Sequence, residues 1–245
     1  MEPDKTNSSN TKEIKAKSSK TKPVKTSYIL TVFFAIVTAF FILTLAIFIP
    51  ITSKSFYKSE VKRLGLVEKT GYSEETILTA YSEMLDYCNG YQDEFSVGEL
   101  SFSEEGASHF ADCRKLFVLD RHVLIFTAAV ALLWLIIRWF VPVRSAAPAG
   151  HLPAFYGALF LWATFFIIGG LAALDFDKFF VIFHAVLFPG KTNWLFDPRV
   201  DQVINILPET YFMHCGLLIV LLILCMSAAI FLFDLLWRKR KEKRA

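Results

Sequence analysis

YILTVFFAIVTAFFILTLAIFIPI, residues 28–51, runs without a charge between Lys25 and Lys54. A helix needs roughly 20 apolar residues to cross about 30 Å of hydrocarbon, so this stretch can span a membrane by itself. Three comparable runs follow: one assigned to 119–141, apolar from Val123 and broken only by Arg138; one at 152–174; and one at 210–236, closed by Asp234 and a basic tail. Of the 245 residues, 54% are hydrophobic, 20% are charged and 25 are phenylalanine, with a mean hydropathy of +0.45. Soluble domains stay near 45–50% apolar and about 25% charged. The expected fold is therefore an all-α integral membrane protein with four transmembrane helices. A secreted enzyme, a cytosolic Rossmann or barrel enzyme and a nucleic-acid module are excluded; the net charge is only +3 and the bases sit at the chain ends.

Lysines and arginines orient such a chain. Residues 1–27 carry seven Lys, the segment 237–245 carries six bases, and the loop 142–151 holds Arg144. All three belong on the cytoplasmic side, which gives N-in and C-in. Residues 52–118, with twelve acids against seven bases, and residues 175–209 then face outward. The first run is too long for a cleavable signal peptide. The Lys/Ser/Thr-rich tail before it is expected to be disordered and loosely drawn to anionic membrane lipid.

Within 52–118 an extracytoplasmic helical domain is expected. Ile77, Tyr81, Met84, Leu85 and Cys88 have helical spacing behind a Ser73 cap, and EFSVGELSF reads as a short extended piece or hairpin. The stretch SEEGASHFADCRKLFVLDRHVLIF reads as a helix leading straight into the second span. Cys88 and Cys113 lie on the same side of the membrane, and their spacing leaves a disulfide open. The run Phe179–Gly190 is too short to cross and suits a re-entrant or interfacial segment.

No Gly-rich phosphate loop, CxxC pair, HExxH or GxSxG is present. Two histidines stand out instead. His109 has Glu105 four residues before it and Asp112 three after, so both carboxylates share its helical face and can fix its tautomer. His184 lies within FFVIFHAVLF, and an ionisable group at membrane depth is a functional-site candidate. Asp177, two turns earlier, is placed to support it. Trp194 sits in the outer loop, apart from the other tryptophans.

Two blocks carry a resemblance. SFSEEGASHFADCRKLF precedes a span, and an FHxxxF…NWxxDPxxDxxIxxxP pattern follows, formed by His184, Phe188, Asn193, Trp194, Asp197, Pro198, Asp201, Ile204 and Pro208. The chain resembles the four-helix bacterial membrane proteins of the lipoprotein intramolecular transacylase (Lit) family over nearly its whole length. That likeness implies a bacterial cell-membrane location with the site facing outward, and a diacylglyceryl-modified lipoprotein as substrate. It implies transfer of an acyl chain from the glyceryl group to the N-terminal cysteine amine, with His109 and His184 as the catalytic pair.

The chemistry suits these residues. Both ends of the reaction belong to one molecule, so no cofactor or metal is expected. The α-amine has a pKa near 8 and needs a base poised near neutrality. His109 is expected as that base, oriented by Asp112 or Glu105, and His184 as oxyanion donor; the reverse assignment stays open. Phe183, Phe188, Trp194 and Asp197 are expected to hold the substrate. One rival reading is a non-enzymatic protein that binds an envelope partner through its outer domain. Another is a metal-dependent hydrolase using His109, His184, Asp112 and Asp177.

Overall fold

The computed structural model describes residues 24–25, 27–141, 143–144 and 146–243. Apart from residues 24, 25 and 27, the basic N-terminal tail lies outside the described residues. Val24–Lys25 (β1) pairs in parallel with Val143–Arg144 (β2), a two-residue contact that sets the approach to the first span beside the loop between the second and third spans. All other regular structure among the described residues is helical.

Among the described residues four helices are long and apolar enough to cross a membrane. The first, α1 (Tyr28–Thr52), starts where the Ser27 hydroxyl accepts from Leu30 N. Its threonines Thr31, Thr38, Thr44 and Thr52 donate to carbonyls one turn back, so these hydroxyls are paired within the helix. It closes at Ser53, whose side chain caps α2 (Lys54–Leu64) in turn. Gly65, at φ 61°, adopts the left-handed conformation that ends α2. Then come α3 (Leu66–Thr70) and α4 (Glu74–Cys88), the latter capped by Ser73, whose Oγ accepts from Thr76 N at 3.0 Å.

EFSVGELSF forms neither strand nor hairpin. Glu83, on α4, accepts from Ser96 Oγ and from Gly98 N, drawing the segment onto the helix side by side. Val97 and Leu100 are buried as pegs in a helical core, so the alternation in the sequence reflects two side chains inserted from a loop. That core joins Tyr57, Ile77, Tyr81, Leu85, Phe110, Val203, Ile206 and Tyr211. It is stitched by polar contacts: Tyr57 donates to Ile206 O at 2.7 Å, and the Tyr81 and Tyr211 hydroxyls pair at 2.8 Å. Cys88 and Cys113 are free thiols.

The second crossing helix, α5 (Glu104–Phe140), is continuous from the helical layer that holds α2–α4 into the bundle. Next are α6 (Pro153–Leu174), the short α7 (Phe176–Leu187) and α8 (Glu209–Glu242). In the bundle α1 is central and packs on α5, α6 and α8, while α6 also packs on α8. Lipid offers no hydrophobic drive between helices, so close backbone approach matters there. At Gly157 of α6 a methyl group would overlap the carbonyl of Ala35 on α1. Ile42, Ala46, Ala158, Leu161 and Ile223 fill the seam, while Phe40, Leu132, Phe160 and Leu221 stay exposed on the outside.

Candidate active site

The site is built where the start of α5 meets the connection between α6 and α8. Ser103 caps α5, its Oγ accepting from Gly106 N at 2.9 Å. From the far end of that connection, Asp201 accepts from Ser103 N at 2.8 Å and from Ser103 Oγ at 2.9 Å. Ser101 and Gln202 zip the two segments further, and Gly106 is required because any Cβ there would run into the Asp201 carboxylate. This clasp fixes His109, one turn into α5. On the other side Asp175 caps α7 by accepting from Lys178 N, and His184 occupies the last turn of that helix.

The two imidazoles meet, with ring centroids 5.9 Å apart and planes tilted by 30°. Aromatic side chains surround them. Phe188 lies 4.9 Å from His109 and 5.9 Å from His184, Phe196 lies 5.4 Å from His109, and Trp194 stacks on His184 at 4.6 Å. His109, Phe188 and His184 are buried, at 5, 6 and 8% exposure.

His184 Nδ1 is 2.8 Å from the carbonyl of Phe180. A carbonyl only accepts, so Nδ1 carries the hydrogen and Nε2 of the neutral ring keeps its lone pair. Burial holds the His184 pKa below the usual histidine value, which favours that neutral ring. His109 is held lower still, to about 4, chiefly by burial, then by the charge of its partner ring; Asp112 opposes the shift, Lys191 reinforces it, and the Asn193 amide opposes it. Both residues stand outside the crossing segments. The 37 residues of α5 are about 55 Å long against about 30 Å of hydrocarbon, so its charged first turns project from the membrane.

Asp112 is the polar hub. It accepts from Lys191, from Lys115 at 2.9 Å and from Asn193 Nδ2 at 3.3 Å, and these donors bring its pKa to about 2 despite burial. Beside it, His109 Nδ1 and Asn193 Oδ1 are buried without a hydrogen-bond partner. The other ring nitrogen, His109 Nε2, lies 3.5 Å from Cys113 Sγ, a thiol that burial pushes up to about 12.

The sequence model of the family described as "Lipoprotein intramolecular transacylase Lit" matches residues 32–212, most of the chain and all of this site. The chain belongs to the Lit family. It is therefore a multi-pass membrane protein with lipoprotein intramolecular transacylase activity. Solved structures agree on the fold. The membrane integral lipoprotein intramolecular transacylase Lit from Bacillus cereus superposes with a TM-score of 0.77 at 24% identity, over 88% of this chain and 97% of that one. Two structures of that protein with one histidine substituted give 0.73 at 24% identity, over 89 and 88% of this chain and 94 and 95% of theirs. No curated protein sequence matches.

Against this Lit scaffold, the residues singled out in the sequence separate into two groups. His109, His184, Phe188 and Trp194 converge, and Asp112 joins them through Asn193 rather than by touching the ring. Glu105 is exposed and is absent from the groups acting on His109. Asp177 lies at the opposite end of α7 from His184 and interacts with Glu209, so it does not support the histidine. Phe183 meets the His184 ring edge-on at 5.6 Å but is 45% exposed and stays at the rim of the site. Asp197 is bound by Arg199 at 2.8 and 3.0 Å in a turn of its own, which places Phe196 on His109 but keeps the carboxylate away from the rings. Among the described residues no three His, Cys, Asp or Glu side chains converge as metal ligands. Lys191, Asn193 and Cys113 were not assigned roles from sequence. The first two precede Trp194 in KTNW, and only their contact with α5 reveals their part.

Proposed function

We propose that this Lit protein moves an acyl chain from a glyceryl oxygen of a diacylglyceryl-modified lipoprotein to the α-amine of its N-terminal cysteine, with His109 and His184 as the reacting pair. One observation carries the reading: two buried neutral imidazoles from different elements face each other inside an aromatic cage, each with a ring nitrogen free of protein donors. In the reaction the amine nitrogen attacks the ester carbonyl carbon, the N–C bond forms and the glyceryl C–O bond breaks. His184 Nε2 takes the amine proton and returns it to the glyceryl oxygen.

This gives His184 the role of base, which the sequence reading favoured for His109 and left open for His184. With its N–H given to Phe180, neutral His184 has only a lone pair to offer and cannot act as oxyanion donor. Positive potential for the developing oxyanion comes from Lys191, whose charge is already felt at His109. The aromatic cage suits acyl chains. Basic residues at both chain ends and in the 142–151 loop, together with the β1–β2 contact at one end of the bundle, support an outward site on a bacterial cell membrane.

Mass spectrometry of lipoprotein N-termini from a host without N-acylating enzymes tests the proposal. With the protein present, a diacylglyceryl form with a free amine is expected to convert to an N-acyl lyso form of the same mass, and His109→Ala and His184→Ala are expected to abolish that conversion. Unchanged lipoprotein beside folded, inserted protein would overturn it.

A further inference from the structure

We infer that Asn193 seats the acyl-accepting amine, its Oδ1 and His109 Nδ1 forming a pair of acceptors for two N–H bonds of a primary amine; this rests on the transacylase reading above. The orientation of the Asn193 amide is decided by its neighbour. Asp112 can only accept, so the Nδ2 hydrogens face that carboxylate at 3.3 Å, and Nδ2 also donates to Ser108 Oγ at 3.4 Å. The oxygen is thereby turned away from Asp112, and it is buried with nothing donating to it. His109 Nδ1 is the other buried atom at the site without a partner. An acceptor buried in this way costs free energy unless a donor arrives.

The protein holds the two acceptors ready. Asp112 is fixed by Lys191 and Lys115, so the amide is supported by a charged anchor rather than by rotamer preference alone. On the ring, Nε2 faces Cys113 Sγ, and an Nε2–H directed at that sulfur leaves Nδ1 as a lone pair. A primary amine whose two hydrogens are held by Oδ1 and Nδ1 has its own lone pair directed away from both acceptors, free to attack an ester carbonyl; as the N–C bond forms, the hydrogen at Nδ1 turns to the facing ring and its proton passes to His184 Nε2. A secondary amine brings one N–H and leaves one acceptor unmet. The seat therefore selects for a primary amine, and Asn193 is the residue that sets that selectivity.

The test is a substrate–variant cycle with the full-length protein in detergent. Diacylglyceryl lipopeptides with either a free primary or an N-methylated α-amine are given to wild type and Asn193→Ala, and N-acylation rates are read by mass spectrometry. Asn193→Ala is expected to slow the primary amine by roughly 10- to 100-fold. N-methylation is expected to cost the wild type several-fold more than it costs the variant, because the variant has already lost the contact. If Asn193→Ala yields no measurable product, Asn193→Ser, which keeps an oxygen acceptor, carries the same comparison. An equal methylation penalty in both proteins, or a variant as fast as wild type, would overturn the seat while leaving the transacylase standing. A wild type that forms no N-acyl product would remove both.

Discussion

His184 gives its only N–H to its own helix, and this one bond sorts the chemistry of the pair. General acid–base partners contribute roughly 100- to 10,000-fold, so His184→Ala and His109→Ala should each lose activity in that range while the thermal unfolding midpoint in detergent stays near wild type. Retained activity in either variant would contradict the assignment. The pH dependence follows from the low pKa of His109. Its lone pair persists as pH falls and is lost only on protonation near pH 4. The substrate amine, with a pKa near 8, dominates the range above. The logarithm of kcat/KM should rise with unit slope at about pH 7 and steepen at lower pH, as His184 protonates below the usual histidine value and as His109 protonates near pH 4. A single break near the ordinary histidine value, erased by His109→Gln, would show instead that the ring titrates unshifted. Both histidines were legible in the sequence, one by its carboxylate neighbours and the other by its apolar setting. The role of Asp112 was not, because helical spacing shows only the face of its own helix, and its partners Lys191 and Asn193 arrive from a loop beyond α7.

At the scale of elements, the clasp between Ser103 and Asp201 positions His109 against His184. Removing a helix cap typically costs about 1 kcal/mol, and Asp201→Ala removes the carboxylate that holds both the cap residue and the returning loop. This variant should stay folded, become more sensitive to protease between residues 188 and 203, and lose at least about 10-fold in activity, since misplacement by about 1 Å can cost 100-fold. Gly106→Val should behave alike by pushing the carboxylate away from the other side. Wild-type activity in both would mean that α5 finds its register without the loop. The continuous α5 was readable because its apolar run begins directly after an amphipathic one. The segment 94–102 reads as extended in the sequence because alternation cannot tell a strand from a loop that inserts Val97 and Leu100 into a helical core. The helices between residues 54 and 70 went unread; their burial depends on Tyr57 and Val61 meeting α4, a tertiary fact.

For the whole molecule, the domain formed by α2–α4 is joined to the bundle by a buried pair. Glu60 of α2 is fully buried, and its carboxylate lies 2.5 Å from His214 Nδ1 on α8. Removing one partner of a buried pair costs about 3–5 kcal/mol because the other is stranded. His214→Leu should lower the unfolding midpoint in detergent markedly, and an unchanged midpoint would show the domain to be held by its apolar core alone. At the far end, His151 Nδ1 and Leu152 N both reach Asp234, at 2.6 and 2.7 Å, anchoring the start of α6 to α8. The four spans were plain in the sequence because hydrocarbon demands a long apolar run from each crossing helix. These fastenings were not, since each joins residues more than eighty positions apart.

Acyl transfer within a single lipopeptide by one histidine pair, as proposed, forbids exchange of chains between molecules, and a crossover experiment reads that exchange. Isotopically heavy and light diacylglyceryl lipopeptides are mixed with purified wild type, His109→Ala or His184→Ala, and the N-acyl products are weighed and fragmented. The wild type should yield only all-heavy and all-light N-acyl lyso products of unchanged mass, and neither variant should yield any. Products that mix heavy and light chains, or N-acylation that survives loss of either histidine, would contradict the account.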